Sequence, residues 1–86
     1  MMQTAVSDQI RAFVLEKFPQ AKKKSLRDTD QLLESGIVDS LGILDLVAFL
    51  ESGFQVHIND EELLPENFQT VEAIAQFVER KRNGAP

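Results

Sequence analysis

The residues with the clearest chemical potential are Asp39, Ser40 and Leu41, which follow an irregular stretch and precede a long apolar segment. Asp and Ser cap helix N-termini, because their side-chain oxygens accept hydrogen bonds from backbone N–H groups that lack an intrahelical partner. The pattern therefore predicts that Ser40 stands at the start of a helix with its hydroxyl exposed. A phosphate ester on that hydroxyl would be stabilised there by the positive end of the helix dipole.

Ser40 could act as a nucleophile, carry a modification or only cap the helix. A serine hydroxyl is a weak nucleophile unless a neighbouring base activates it. His57 is the single histidine, and we predict a surface or half-buried place for it, because so short a chain cannot build the cleft and oxyanion hole of a hydrolase. Two interpretations stay open on local chemistry: a serine modified by another enzyme, and a simple cap.

Metal chemistry has little support in the sequence. Asp28 and Asp30 begin like a calcium loop, but Leu32 and Leu33 occupy the places that need a ligand and a glycine. The chain has no cysteine, which excludes disulfides, cysteine metal sites and a protein thiol. We therefore predict no metal site, and any thioester chemistry would need an imported sulfur.

The charges are distributed unevenly along the chain. The 86 residues carry a formal net charge of −5, and no Lys or Arg occurs between Asp28 and Glu79. This acidic interval argues against a nucleic-acid partner, whose phosphates would be repelled, and favours proteins with basic patches. Because no apolar run is long enough to span a bilayer and no signal segment follows Met1, we expect a cytoplasmic protein without a membrane role.

Apolar residues at helix spacing predict a first helix from Ala5 to Phe18, for which Thr4 is a possible cap and which Pro19 ends. The interval 19–38 has no sustained period. Loops of this length are unusual in compact domains and are often functional. We therefore predict a long loop that isolated apolar residues pin to the helices.

A second helix is predicted from Ser40 to Ser52, with Gly53 as the left-handed residue that ends it. It is apolar on more than one face, which indicates that it is buried or offers an apolar stripe to a partner. Residues 54–58 alternate like a strand but have no second strand to pair with. We therefore predict a linker in which the apolar residues are anchors.

The C-terminal third predicts a short helix and a third main helix. Asn59 and Glu62 form a capping signature for a short helix that Pro65 truncates. Thr70 is predicted to cap the last helix, which residues 83–84 end. The predicted fold class is therefore all-α: a small four-helix bundle of three main helices and one short one, with a long loop between the first two. We expect one domain over residues 1–86, with an ordered core of about residues 5–82.

The run from Gly36 to Leu41 and the apolar helix after it, with acids at Asp45 and Glu51, resemble the acyl carrier protein family. The resemblance covers nearly the whole chain. It includes the first helix, the long loop, the short acidic helix near Asp60 and the Thr70-Val71 start of the last helix. The tripeptide alone is common; its position after a long loop, in a small acidic chain without cysteine, is what makes the resemblance specific.

The resemblance implies a function. Ser40 would be esterified with 4′-phosphopantetheine from coenzyme A by a magnesium-dependent transferase, and Asp39 would help to seat that transferase. Acyl or aminoacyl groups would then be carried as thioesters on the arm, which supplies the thiol that the chain lacks. The chain itself would bind no metal and would not be an enzyme.

The resemblance also implies a surface for partner enzymes with basic patches. The implied partners are the transferase, acyl- or aminoacyl-adenylating enzymes, acyltransferases, and condensing enzymes of fatty-acid, polyketide or secondary-metabolite biosynthesis. The carrier itself is expected to be a monomer. By position, the contact residues are Leu41, Leu44, Asp45, Ala48, Glu51, Ile58 and Glu62. At Leu41 and Leu44 a core position competes with this interpretation, because an apolar residue at helical spacing is more often in the core than at an interface.

Two positions depart from the pattern of fatty-acid carriers, which usually have a polar or acidic residue at Gly42 and a further acid at Ser52. Asp-Ser-Leu-Gly is similar to free-standing carriers that serve adenylating enzymes, including D-alanyl carriers. Gly42 costs up to about 1 kcal/mol of helix stability against alanine. It either relaxes the first turn or lets a partner backbone approach. The alternative to a carrier is an unmodified acidic interaction module that presents the second helix.

Overall fold

The computed structural model describes residues 5–23 and 26–82, which form helices and connecting segments without a strand in those two ranges. Three long helices dominate, and this confirms the predicted all-α bundle. The elements in chain order are α1 (Val6–Lys17), α2 (Pro19–Lys23), α3 (Ser40–Phe54), a 3₁₀ helix (Asp60–Glu62), α4 (Pro65–Phe68) and α5 (Val71–Arg82).

The core lies where α1, α3 and α5 bury their apolar stripes against one another. Side chains with no exposed surface come from all three long helices and from the loop before α3. They include Ile10, Val14, Leu32, Leu46, Leu50, Val71, Ile74 and Val78. Phe77 is also buried on α5. None of the helices in the described ranges combines the length and apolar composition that crossing a membrane requires.

The interval 19–38 was predicted as a loop, but its first part is the short helix α2. Proline fits the first turn of a helix, where a backbone N–H has no intrahelical acceptor, so Pro19 ends α1 and also begins α2. Ala21 is fully buried and fixes α2 to the core. Thr4, the predicted cap of α1, lies outside the described residues, and Ala5 holds the N-cap position.

The rest of this interval is irregular, as predicted, and backbone hydrogen bonds tie it to the second half of the chain. The Leu32 N–H donates to the Gln69 carbonyl at 2.7 Å, and the Glu72 N–H donates to the Asp28 carbonyl at 3.0 Å. Gly36 adopts a left-handed conformation, with φ of 81°. These bonds hold the loop against the start of α5 and deliver the chain to the first residue of α3.

Helix α3 ends two residues later than predicted. It continues through Gly53 to Phe54, and Gln55 is the left-handed residue that ends it, with φ of 55°. Phe54 is buried and meets Phe49 edge to face at 5.9 Å between ring centroids. Packing of this side chain outweighs the helix-breaking tendency of Gly53, which is about 1 kcal/mol.

In the segment after α3, helices begin at the predicted caps, but the role of Pro65 differs from the prediction. The Asn59 N–H donates to Glu62 Oε1 at 2.9 Å, and the Ala73 N–H donates to Thr70 Oγ1 at 2.9 Å. Pro65 was expected only to truncate the short helix. The 3₁₀ helix already stops at Glu62, and Pro65 begins the separate helix α4. Residues 83–84, the predicted end of the last helix, lie outside the described residues.

Candidate functional site

Ser40 is the first residue of α3 and is exposed. The capping function belongs to Asp39, whose Oδ1 accepts the Gly42 N–H at 2.7 Å. Asp39 has an extended backbone, and its carbonyl accepts the Ile43 N–H at 3.1 Å. Asp39 thus makes both bonds of an N-cap residue, which leaves the hydroxyl of the exposed Ser40 out of the cap.

Beside Ser40 lies an open apolar cleft of about 260 Å³ between α3 and the segment 63–68. Its described lining residues are apolar except for Ser40. They are Leu33, Ser40, Ile43, Leu63, Leu64, Pro65 and Phe68. An exposed hydroxyl at a helix N-terminus, next to an apolar cleft, fits a phosphate-linked arm that ends in a less polar group. The sequence did not predict this cleft, although the Leu63-Leu64 pair before a proline was a signal for it.

Four of the predicted partner residues share one exposed stripe of α3. Leu41 and Leu44 are 74% and 60% exposed, and Asp45 and Ala48 are also exposed. Positions three, four and seven apart lie on one face of a helix. The structure therefore places these two leucines on the surface beside Ser40 rather than in the core.

The other three predicted partner residues are engaged within the molecule. Glu51 is half-buried, and its Oε2 accepts the Ile58 N–H at 2.9 Å. Ile58 is only 6% exposed, so the predicted surface contact does not match its place in the core. Glu62 accepts Lys81 Nζ at 2.7 and 2.9 Å as well as the Asn59 N–H. These residues brace the segment after α3 instead of extending the exposed stripe.

His57 is a surface residue, as predicted, and lies far from the serine. Its Nδ1 is 3.7 Å from Glu51 Oε2, and its side chain is 82% exposed. Glu51 follows Ser40 by eleven residues on the same helix, which is a rise of about 16 Å. This separation is beyond hydrogen-bond reach, so His57 does not activate Ser40 as a base would in a hydrolase.

The Glu62 carboxylate has a pKa below its ordinary value. The Lys81 hydrogen bonds are the main cause, and the Asn59 N–H is the second. A carboxyl with a lowered pKa stabilises the folded state above its unfolded pKa, and this contribution is lost as pH falls through the folded pKa. The Glu62–Lys81 bridge is therefore expected to hold the 3₁₀ helix on α5 at neutral pH and to release it in acid.

Lys81→Met is expected to lower the thermal midpoint at pH 7, because Glu62 loses its ammonium partner. The difference from the wild type should shrink as the pH falls below the ordinary glutamate pKa of about 4.3, and it should vanish once the pH passes the lowered pKa of Glu62 in the wild type. Thermal melts from pH 7 to pH 3 measure it. Arg80→Met is the matched control, since Arg80 is exposed on the same turn and its replacement removes the same charge. An equal, pH-independent shift in both variants would contradict the bridge.

Comparison with known proteins assigns this chain to a family. Residues 8–78 match the family described as "Phosphopantetheine attachment site". The chain belongs to the acyl carrier protein family. The prosthetic group of such carriers is 4′-phosphopantetheine, and the family role is to carry acyl or aminoacyl groups rather than to catalyse a reaction. This family assignment agrees with the resemblance carried by the Asp-Ser-Leu run.

The similar proteins are carriers of two kinds. The probable acyl carrier protein PigG of Serratia sp. (strain ATCC 39006) is 37% identical over 67 residues, 78% of this chain and 77% of that protein. The acyl carrier protein of Buchnera aphidicola subsp. Acyrthosiphon pisum (strain Tuc7) is 29% identical over 76 residues, 88% of this chain and 91% of that protein. The D-alanyl carrier protein of Streptococcus pyogenes serotype M5 (strain Manfredo) is 36% identical over 50 residues, 58% and 63% of the two chains.

Proposed function

We propose that Ser40 is the attachment site of the 4′-phosphopantetheine arm and that this protein carries acyl or aminoacyl groups to partner enzymes. The observation that supports this most is the exposed Ser40 hydroxyl at the start of α3, left out of the cap by Asp39 and next to the apolar cleft. When attached, the arm supplies the thiol that the cysteine-free chain lacks. The chain contributes the attachment point, its orientation and the surface that partners bind.

Partner enzymes would dock on the exposed stripe of Leu41, Leu44, Asp45 and Ala48. The leucines offer apolar area close to Ser40, and Asp45 offers a carboxylate that no described residue neutralises. Basic patches on a transferase, an adenylating enzyme, an acyltransferase or a condensing enzyme would complement this stripe. Glu51 stands at its margin, while Ile58 and Glu62 support it from within the fold.

We propose that the cargo is an acyl or aminoacyl group. The similar proteins include acyl carriers and D-alanyl carriers, and both kinds of cargo would be bound through the same thiol. The Asp-Ser-Leu-Gly sequence favours supply by an adenylating enzyme over routine fatty-acid synthesis. Incubation with candidate adenylating enzymes, ATP and single carboxylic or amino acids would identify the cargo by its mass.

Intact-mass measurement tests the proposed attachment. The unmodified protein, incubated with a promiscuous phosphopantetheinyl transferase, coenzyme A and magnesium, should gain about 340 Da, the mass of one arm on one hydroxyl. A protein whose mass stays unchanged, while a known carrier in the same tube is converted, would contradict the proposal.

Asp39 is expected to serve both the helix and the transferase, and two variants separate these roles. Asp39→Asn keeps an oxygen that can accept the Gly42 N–H, whereas Asp39→Ala loses the cap at a cost of about 0.5–2 kcal/mol. We expect the denaturation midpoint to fall for the alanine variant only. The initial rate of modification should fall about tenfold for both variants, which corresponds to roughly 1.4 kcal/mol of binding energy.

The control for this pair is Glu79→Gln, which neutralises an exposed carboxylate on α5. It should leave both the denaturation midpoint and the modification rate close to those of the wild type. If Asp39→Asn is modified as fast as the wild type, the charge of Asp39 does not seat the transferase.

A further inference from the structure

Gly42 lies two residues after Ser40 and is buried, although its neighbour Leu41 is exposed. A Cβ atom at position 42 would lie 2.6 Å from Cε1 and 3.1 Å from Cζ of the Phe18 ring. Carbon atoms pack favourably only from about 3.5 Å, so a side chain at position 42 and the ring cannot both keep these places. Gly42 is therefore covered from inside the molecule and is not open to a partner backbone.

The backbone of Phe18, whose ring contacts α3, is held by hydrogen bonds at both its N–H and its carbonyl group. The Phe18 N–H donates to the Val14 carbonyl at 2.9 Å, and the Phe18 carbonyl accepts the Ala21 N–H at 3.0 Å. The next residue is Pro19, whose ring restricts its own φ angle and the conformation of Phe18. Phe18 thus joins α1 and α2 and places its ring on the first turn of α3.

Position 42 also lies against the Asp39 side chain that caps α3. The Cβ atom at position 42 would also lie 3.2 Å from Asp39 Oδ1, the oxygen that accepts the Gly42 N–H. A side chain there would press on the ring and on the capping carboxylate at once. Because Ser40 directly follows Asp39, any shift of this turn moves the Ser40 hydroxyl.

A second aromatic contact holds α3 further along. The Phe13 ring of α1 stacks on Phe49 of α3, with centroids 4.2 Å apart, and meets Phe18 edge to face at 6.3 Å. Phe49 lies seven residues beyond Gly42, a rise of about 10 Å along the helix. Two points of α3 are therefore fixed by aromatic rings, one from Phe13 of α1 and one from Phe18 between α1 and α2, and the point at Gly42 is the one next to Ser40.

We propose that Phe18, seated on Gly42, is a positioning residue for Ser40. The contact fixes the first turn of α3 in the orientation in which, on the transferase, the Ser40 oxygen attacks the pantetheine-bearing phosphorus of the coenzyme A pyrophosphate. The P–O bond to adenosine 3′,5′-bisphosphate breaks, that group leaves, and the hydroxyl proton passes to a base of the transferase. With the ring in this place, there is no room for a Cβ atom at position 42. Phe18 touches neither the hydroxyl nor the arm and acts only through the turn. This inference rests on the proposed function of Ser40.

Steady-state modification kinetics of four full-length proteins test the inference. Gly42→Ala should lower kcat/KM of the transferase about tenfold, as expected for a misplaced reacting group. Adding Phe18→Leu to Gly42→Ala should restore most of that loss, because the smaller side chain leaves room for the new methyl group. Gly53→Ala is the control on the same helix, where a Cβ atom would meet the Phe49 ring at an ordinary 3.7 Å. It should be modified like the wild type.

Amide hydrogen exchange at residue 42 supplies a readout that does not depend on the transferase. The N–H bonded to Asp39 should exchange faster in Gly42→Ala and return toward the wild-type rate in the double variant. All kinetics are measured at a temperature at which circular dichroism shows each variant folded, so a loss of global stability alone would leave kcat/KM unchanged.

Three results would overturn the inference. The first is a wild-type kcat/KM for Gly42→Ala, and the second is a double variant that is modified as slowly as Gly42→Ala; in either case the wild type is still modified and the proposed function stands. A wild-type protein that gains no mass overturns the proposed function, and the positioning role with it.

Discussion

Ser40→Ala is expected to abolish the mass gain of about 340 Da completely, because it removes the hydroxyl to which the arm is proposed to be attached. The variant should fold like the wild type. Asp39 keeps the cap through the Gly42 N–H, and alanine is a good helix former at an exposed position, so the stability should change by less than about 0.5 kcal/mol. Intact mass after transferase treatment and circular dichroism measure the two effects.

Ser52→Ala is the matched control for this prediction. Ser52 is also exposed on α3, so its replacement removes a hydroxyl from the same helix but away from the cap. It should gain the full mass of the arm. Modification of Ser40→Ala would show that the arm is attached elsewhere.

The same variant separates a carrier from an unmodified interaction module. The exposed leucines Leu41 and Leu44 would suit either function. An interaction module should bind its partner tightly without the arm, and Ser40→Ala should not disturb that binding. A carrier should lose its ability to deliver cargo in this variant even where docking persists.

Phe68→Ala is expected to destabilise the protein by roughly 3–5 kcal/mol, which is the usual cost of truncating a buried phenylalanine. Phe68 is 1% exposed, packs 5.6 Å from the Phe77 ring and forms part of the cleft beside Ser40. Such a loss is a large share of the stability of a small domain. Urea denaturation followed by circular dichroism measures it as a lower midpoint.

Leu64→Ala is the control for Phe68. Leu64 lines the same cleft but is 45% exposed, so its truncation should cost less than about 1 kcal/mol. The pair therefore compares the buried and the exposed wall of one cleft. A Phe68→Ala variant within 1 kcal/mol of the wild type would mean that α4 is not part of the stable core.

Local signals in the sequence predicted much of the fold and the centre of the site. Caps at Asp39, Asn59 and Thr70 depend on side chains within three residues of their targets, so the starts of α3, the 3₁₀ helix and α5 follow from the sequence alone. The spacing of apolar residues likewise predicted the first helix, which the structure shows as α1. For the same reason, the position of Ser40 at a helix start could be predicted.

Features that depend on distant contacts could not be predicted in this way. Helix α3 continues past Gly53 because Phe54 is buried in the core, and the Arg82 guanidinium of α5 lies 5.8 Å from the centroid of its ring. Glu62 looked like a surface acid, but Lys81, nineteen residues away, binds it. The sequence shows Gly42 only as a residue that lowers the stability of α3, whereas in the structure the Phe18 ring occupies the space beside it. In each case a tertiary contact overrides a local tendency.

The central claim is that Ser40 carries the arm, and the most direct test is the mass of the protein from its native cell, followed by fragmentation of the peptide around residue 40. We predict an increment of about 340 Da, or that increment plus the cargo, located on Ser40. An unmodified mass in cells that contain a competent transferase, or an increment located on another residue, would contradict the account.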